Sequence, residues 1–271
     1  MKKTLPALIV LVLAAAAAGY YYWLQGRTAP AAPTAPVAAA PSPSLPAPAA
    51  PAANAQIRHP IENLPPDATP LPSLEQSDDA VMAALRDLLG SNGLQLLFTD
   101  RIVHRIVATV DALPRKQVPA AARPVKPLQT PFLVQGKDGD LAMAPENAAR
   151  YLPYVALARS VDAGRLLYLY RRFYPLFQQE YRELGYPQGY FNDRLIEAID
   201  DLLAAPEPSP PLRLVQPKVL YLYADPELEA LSAGQKIMMR MGAENEQAVK
   251  AKLWTMRRIL TAGDAGKRKQ P

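Results

Sequence analysis

The chain has 271 residues, no cysteine, 30 prolines, 49% hydrophobic residues and a formal net charge of +5. Without cysteine it can build neither a disulfide framework nor a thiolate metal site, and no cofactor or metal is expected. The charge is mild and interspersed, which excludes nucleic acid as a natural partner.

The chain starts with Lys2 and Lys3, followed by an uncharged apolar run over residues 5–23. Nineteen helical residues at about 1.5 Å each come to roughly 28 Å, close to the hydrocarbon core of a bilayer. A cleaved signal peptide would share the basic start, and Ala16-Ala17-Ala18 resembles a cleavage site. Only an uncleaved anchor explains the closing Tyr20-Tyr21-Tyr22-Trp23, because aromatic rings favour the membrane–water interface. The charge asymmetry predicts a single pass through the cytoplasmic membrane. The amino terminus stays inside, the rest lies in the periplasm, and the lipid bilayer is the partner of residues 5–23.

Residues 25–72 hold 13 of the 30 prolines, interleaved with alanine, and no charge falls between Thr28 and Ile57. Repeated proline removes backbone donors and fixes φ, so this stretch reads as a linker without a core of its own. It is expected to act as a spacer, or as a plain tether with no length requirement.

Helical patterning begins near Leu74. Ser77 is a candidate cap, Asp78 and Asp79 suit the positive end of the helix, and Val81, Leu85 and Leu88 form its apolar face, with Gly90 as a stop. A second helix is predicted over 94–113, ended by Pro114, with Arg101, His104, Arg105 and Asp111 on its polar face. His104 reads as a solvated side chain: it is the one histidine of the predicted folded region, His59 falling in the linker, so that region offers no second His or Cys to complete a metal site with it. Residues 132–134 and 141–143 flank Lys137-Asp138-Gly139-Asp140 and predict a small hairpin. Residues 145–160 read as helical, with a break near Pro153.

The strongest signal lies over residues 166–191, which hold nine of the chain's 20 aromatic residues. Leu167, Tyr170, Tyr174, Phe177, Tyr181 and Leu184 recur at helical spacing and predict one buried stripe. Pro175 should kink or divide the helix, and Gly185 should stop it. Asn192 or Asp193 is a candidate cap for a helix running to about residue 203 with Leu195, Ile199 and Leu202 or Leu203 inward. Residues 212–215 and 219–223 predict short strands. Asp225-Pro226 and Ser232-Ala233-Gly234-Gln235 read as helix starts, the second with the reciprocal pattern of a capping box. Met238, Met239 and Met241 read as core. A last helix buries Val249, Leu253, Met256 and Leu260 and exposes a Glu246–Lys250 pair.

The predicted fold class is therefore mainly α: a single helical domain with a minor β-hairpin and short strands, preceded by a transmembrane anchor and a Pro/Ala-rich linker. The domains run 1–24, 25–72, 73–262 and, as a basic tail, 263–271.

The runs Leu169-Tyr170-Arg171-Arg172-Phe173-Tyr174-Pro175-Leu176-Phe177-Gln178-Gln179 and Tyr190-Phe191-Asn192-Asp193-Arg194-Leu195 resemble a bacterial family. So do Gln216-Pro217-Lys218-Val219-Leu220-Tyr221 and the stretch from Ala224-Asp225-Pro226 to Gln235-Lys236. It is the family catalogued as domain of unknown function 3014. The resemblance implies a membrane-anchored Gram-negative protein and supplies no activity or catalytic residue.

The order anchor, linker, domain points to a cell-envelope binding or scaffolding module with a protein or cell-wall partner. Its candidate ligand- or partner-binding residues are Tyr186, Tyr190, Phe191, Asn192, Asp193 and Arg194: rings in a turn, with polar groups beside them to orient a ligand. Two other readings stay open. One is a structural subunit of an envelope assembly. The other is a glycan-cleaving enzyme using two of Glu180, Glu183, Asp193 and Glu197, which would need carboxyls about 5–10 Å apart.

Overall fold

The computed structural model describes residues 57–61, 70–128, 130–137 and 139–267, with side chains as far as Thr261. The predicted anchor and most of the predicted linker lie outside these residues. Among the described residues no helix is long and apolar enough to cross a membrane.

The domain is mainly helical with one small antiparallel sheet, as the patterning predicts. Its helices are α1 (Ser77–Leu94), α2 (Ile102–Ala112), α3 (Leu152–Ser160), α4 (Ala163–Glu183), α5 (Phe191–Leu203), α6 (Pro226–Glu229), α7 (Ala233–Arg240) and α8 (Ala243–Lys267). Short 3-10 turns cover Leu74–Gln76, Ala120–Ala122 and Pro145–Tyr151. The strands β1 (Val134–Gln135), β2 (Leu141–Met143), β3 (Arg213–Val215) and β4 (Leu222–Tyr223) lie side by side in chain order. Register pairs Val134 with Met143, Leu141 with Leu214, and Leu214 with Tyr223, so the predicted hairpin and later strands form one sheet.

α4 is the centre of the main core. Its stripe residues Leu167, Tyr170, Tyr174, Phe177 and Tyr181 are buried, and so are Phe173 and Leu176, which widens the buried face. It packs on α1 and α2, while α5 packs on α2 and α8, and α3 lies against α8. Pro175 does not divide α4, which continues unbroken from Ala163 to Glu183. Pro175 sits on the exposed face, so its ring points away from the core. The buried turns on either side outweigh the one hydrogen bond it cannot make. A smaller core under the sheet joins Leu212, Leu214, Tyr223 and Met239.

Several local expectations change. The second helix begins at Ile102, not near residue 94, because Leu97 instead bridges to Val125. Ser77 does not cap α1; its hydroxyl donates back to the Leu74 carbonyl at 2.7 Å. Asp78 leaves its own helix end and accepts from the amides of Arg101 and Ile102 at 2.6 and 2.9 Å, capping α2 from outside. That holds Arg101 in a left-handed conformation, φ 50°, otherwise uncommon for a residue with a side chain. Pro153 starts α3, with a 3-10 turn before it. Neither Asn192 nor Asp193 caps α5, whose N-cap is Tyr190. Glu246 and Lys250 pair at 2.9 Å, yet Glu246 is buried, not exposed. Residues 263–267, assigned to the tail, belong to α8.

Candidate functional site

The turn between α4 and α5 is built from the inside. Gln178, buried on α4, donates through Nε2 to the Gly189 carbonyl at 2.8 Å. Its Oε1 accepts from the Phe191 amide at 2.9 Å and from the Tyr174 hydroxyl at 3.0 Å. One amide side chain thus serves the backbone of a loop that has no ladder of its own. A side chain at Gly189 would lie 2.6 Å from the Tyr181 ring and 2.9 Å from the Tyr186 Cβ, so the close approach needs glycine. Tyr186 stacks on Tyr181 with centroids 4.6 Å apart, and Phe191 stacks on Phe177 at 5.9 Å. Phe191 is 1% exposed and belongs to the core.

The remaining predicted residues part into two groups. Tyr190, Asn192 and Asp193 hold a segment of the chain's own linker, residues 57–61. Asp193 accepts the Arg58 amide on Oδ2 at 3.0 Å and the His59 amide on Oδ1 at 2.8 Å. The Tyr170 hydroxyl donates to Asn192 Oδ1 at 3.1 Å, which turns Asn192 Nδ2 to the His59 carbonyl at 2.8 Å. The Tyr190 hydroxyl accepts the Ile61 amide at 2.8 Å, and Ile61 packs against the main core. Pro60, between these contacts, has no amide hydrogen to satisfy. These four hydrogen bonds all go to the segment's main chain, and the Ile61 side chain adds packing to them.

Tyr186 and Arg194 face the other way, onto Asp111 of α2. Arg115 pairs with Asp111 Oδ2 at 2.6 Å and Arg194 Nε with Oδ1 at 3.1 Å. The Tyr186 hydroxyl lies 3.3 Å from Oδ2 and also bonds Arg115, while Arg194 donates to the Asp111 carbonyl and pairs with Glu197 at 2.8 Å. Two guanidinium groups thus converge on one carboxylate whose side chain is 10% exposed. Burial, with the Asp111 charge adding to it, pushes the Tyr181 hydroxyl up to about 12.

The four carboxylates considered for glycan chemistry are each engaged separately. Glu180 binds His104 Nδ1 at 2.7 Å, Glu183 accepts from Gln179, Asp193 holds the linker segment, and Glu197 pairs with Arg194. His104 is thus partnered across to α4 rather than simply solvated. No group of three or more His, Cys, Asp or Glu side chains among the described residues is arranged to hold a metal ion.

Sequence reasoning missed two features. Asp111 was placed on a polar face, and nothing in its neighbours marks it as a buried hub. Nothing in the side chains of residues 57–61 marks the docked segment, because its hydrogen bonds go through the main chain. Another opening among the described residues lies elsewhere. A groove of about 930 Å³ runs between residues 145–152, the proline-rich stretch 207–212 and the α7–α8 junction.

The family model described as "Protein of unknown function (DUF3014)" matches residues 102–257, from the start of α2 into α8. The match includes Asp111 and the whole aromatic turn and leaves out the docked segment. No curated protein and no solved structure matches the chain.

Proposed function

The chain belongs to that family of unknown function, and from this premise we propose that it is a binding or scaffolding module of the bacterial cell envelope. In this reading residues 5–23 cross the cytoplasmic membrane once, the amino terminus stays inside, and the domain works in the periplasm at the end of a proline-rich tether. The carrying observation is the grip of Tyr190, Asn192 and Asp193 on residues 57–61. A passive linker has no reason to be hydrogen-bonded at one defined place, whereas a tether that must present a surface in one direction does. The grip is at the amino-terminal end of α5. The groove includes Glu207 and Pro208, just past the carboxyl-terminal end of the same helix. Thirteen residues at about 1.5 Å put these two ends about 20 Å apart. The groove thereby stands about one helix length from the point where the tether arrives.

A tether of residues 25–56, if extended at about 3.1 Å per residue, would reach at most roughly 100 Å. A photo-crosslinking amino acid at Leu152, 53% exposed on the groove rim, tests the reading in intact cells with the full chain. Capture of one discrete envelope partner is expected. Finding none, with the chain expressed and membrane-bound, would sink the proposal, as would recovery of the domain in the cytosol.

A further inference from the structure

The groove at the far end of α5 has a chemistry of its own. Its floor is apolar, made by Met143, Leu212, Met239 and Met241, and one wall is Pro208, Pro210 and Pro211. Proline has a carbonyl and no amide hydrogen, so that wall offers acceptors and no donors from these residues. Both amide hydrogens of Asn245 are spent on the carbonyls of Ala148 and Met241, at 3.0 and 2.9 Å.

Four carboxylates line the space: Glu146, Glu207, Glu244 and Glu246. The one cation among the lining residues, Arg240, is 6% exposed and lies against the Tyr223 ring, its guanidinium carbon 5.7 Å from the centroid. Beneath the groove Lys250 serves two carboxylates and a carbonyl at once: Glu207 at 3.0 Å, Glu246 at 2.9 Å and Ala205 at 2.6 Å. Lys250 thus offsets part of the charge of the buried Glu246, while it is shared with Glu207. Glu146 is exposed, and the Glu244 side chain is 91% exposed with Arg159 no closer than 3.8 Å. The groove is thus rich in acceptors and negative charge, poor in donors, and backed by flexible thioethers that adapt to varied apolar shapes.

We propose that this groove binds an extended peptide segment of a partner protein in which lysine or arginine alternates with apolar residues. The inference rests on the binding-module reading and names the partner's chemistry. A volume of about 930 Å³ lies within the usual range of ligand sites. The acidic rim repels phosphate-bearing ligands, so nucleic acid and anionic lipid do not fit. The chain as a whole carries +5, so a cationic peptide gains nothing from its overall field. Attraction must come from this local patch.

The test uses the full chain in neutral detergent micelles and a fluorescent octapeptide with two lysines, a leucine and a proline, read by anisotropy against micelles alone. Saturable binding is expected. It should weaken at least tenfold in the double variant Glu146→Lys/Glu244→Lys, and in the parent protein it should weaken as salt is raised. Both positions are exposed, and an unchanged melting curve confirms that the fold survives. The same peptide with glutamate for lysine should not bind. Equal binding by the double variant, or by the glutamate peptide, overturns the proposal. A gain in peptide binding on deleting residues 268–271 also overturns it, because the chain's own basic end would then be the occupant. Failure here while the Leu152 crosslink still captures a partner would remove the peptide chemistry and leave the binding-module reading standing.

Discussion

Asp193 accepts amide hydrogens from residues 135 and 134 positions earlier in the chain. Hydrogen bonds to a charged acceptor are among the stronger ones, about 1.5–3 kcal/mol each. Losing both should leave residues 57–61 mostly undocked. The bond after Arg58 is a trypsin site, protected while docked. In the full chain, Asp193→Ala is expected to raise the rate of cleavage there roughly tenfold or more. Asp193→Asn, which keeps one acceptor, should fall between. An unchanged rate, followed by mass spectrometry of the fragments, would mean that Asp193 does not hold the segment. At the same scale, Asp111 is the common partner of Arg115 and Arg194. Asp111→Ala takes the shared carboxylate from two guanidinium groups, one with a side chain only 14% exposed, and leaves Arg194 with Glu197 and the residue-111 carbonyl. A loss of about 2–4 kcal/mol is expected in urea unfolding. Neither role was legible in the sequence: a carboxylate on a helix advertises its charge but not which distant donor will reach it.

At the scale of elements, short-range signals performed well. Ser232 and Gln235 form the predicted capping box at the start of α7, and Asp225 caps α6 by accepting the Glu227 amide at 2.8 Å. Gly185, read as the stop of α4, takes a positive φ of 114°. Gly234 shows where such reading stops. Its amide donates to the Leu113 carbonyl at 3.0 Å, so α7 begins hard against the end of α2. A methyl group there would lie 2.8 Å from Leu202 and 3.2 Å from the Leu113 carbonyl. In an open helix Gly→Ala gains about 1 kcal/mol. Here Gly234→Ala is expected to lose about 1–2 kcal/mol, because overpacking outweighs propensity. A higher urea midpoint would show that the helix start has room to move. The beginning of α2 belongs to the same class: Asp78 supplies its cap from another helix, and no reading of residues near 102 could locate it.

For the whole molecule, pH dependence follows from buried acids. Asp201 is pushed above the usual carboxylate value of 3.8 by burial, offset in part by the Ser232 hydroxyl that donates to it at 2.7 Å. Glu246 is raised above 4.5 for the same first reason, with Lys250 opposing. An acid whose folded value is raised keeps its proton longer in the native state. Its contribution to stability therefore falls as pH rises from the unfolded value through the raised one. Asp201→Asn removes that component, so the variant should lose less stability than the parent between pH 4 and pH 7, measured as the shift in urea midpoint. An equal or steeper fall in the variant would remove Asp201 as a source.

The helical class, the aromatic stripe, the sheet-forming segments and the caps at Asp225 and Ser232 were legible in the sequence, because each depends on residues within a few positions of one another. Periodicity and turn chemistry act at that range. Tertiary structure alone decided that the grip on residues 57–61 falls to Tyr190, Asn192 and Asp193, that Asp111 gathers two arginines, and that an acceptor-rich groove opens past α5. Those outcomes join residues far apart in the chain, and a polar side chain carries no record of its partner until packing brings the two together and excludes water from between them.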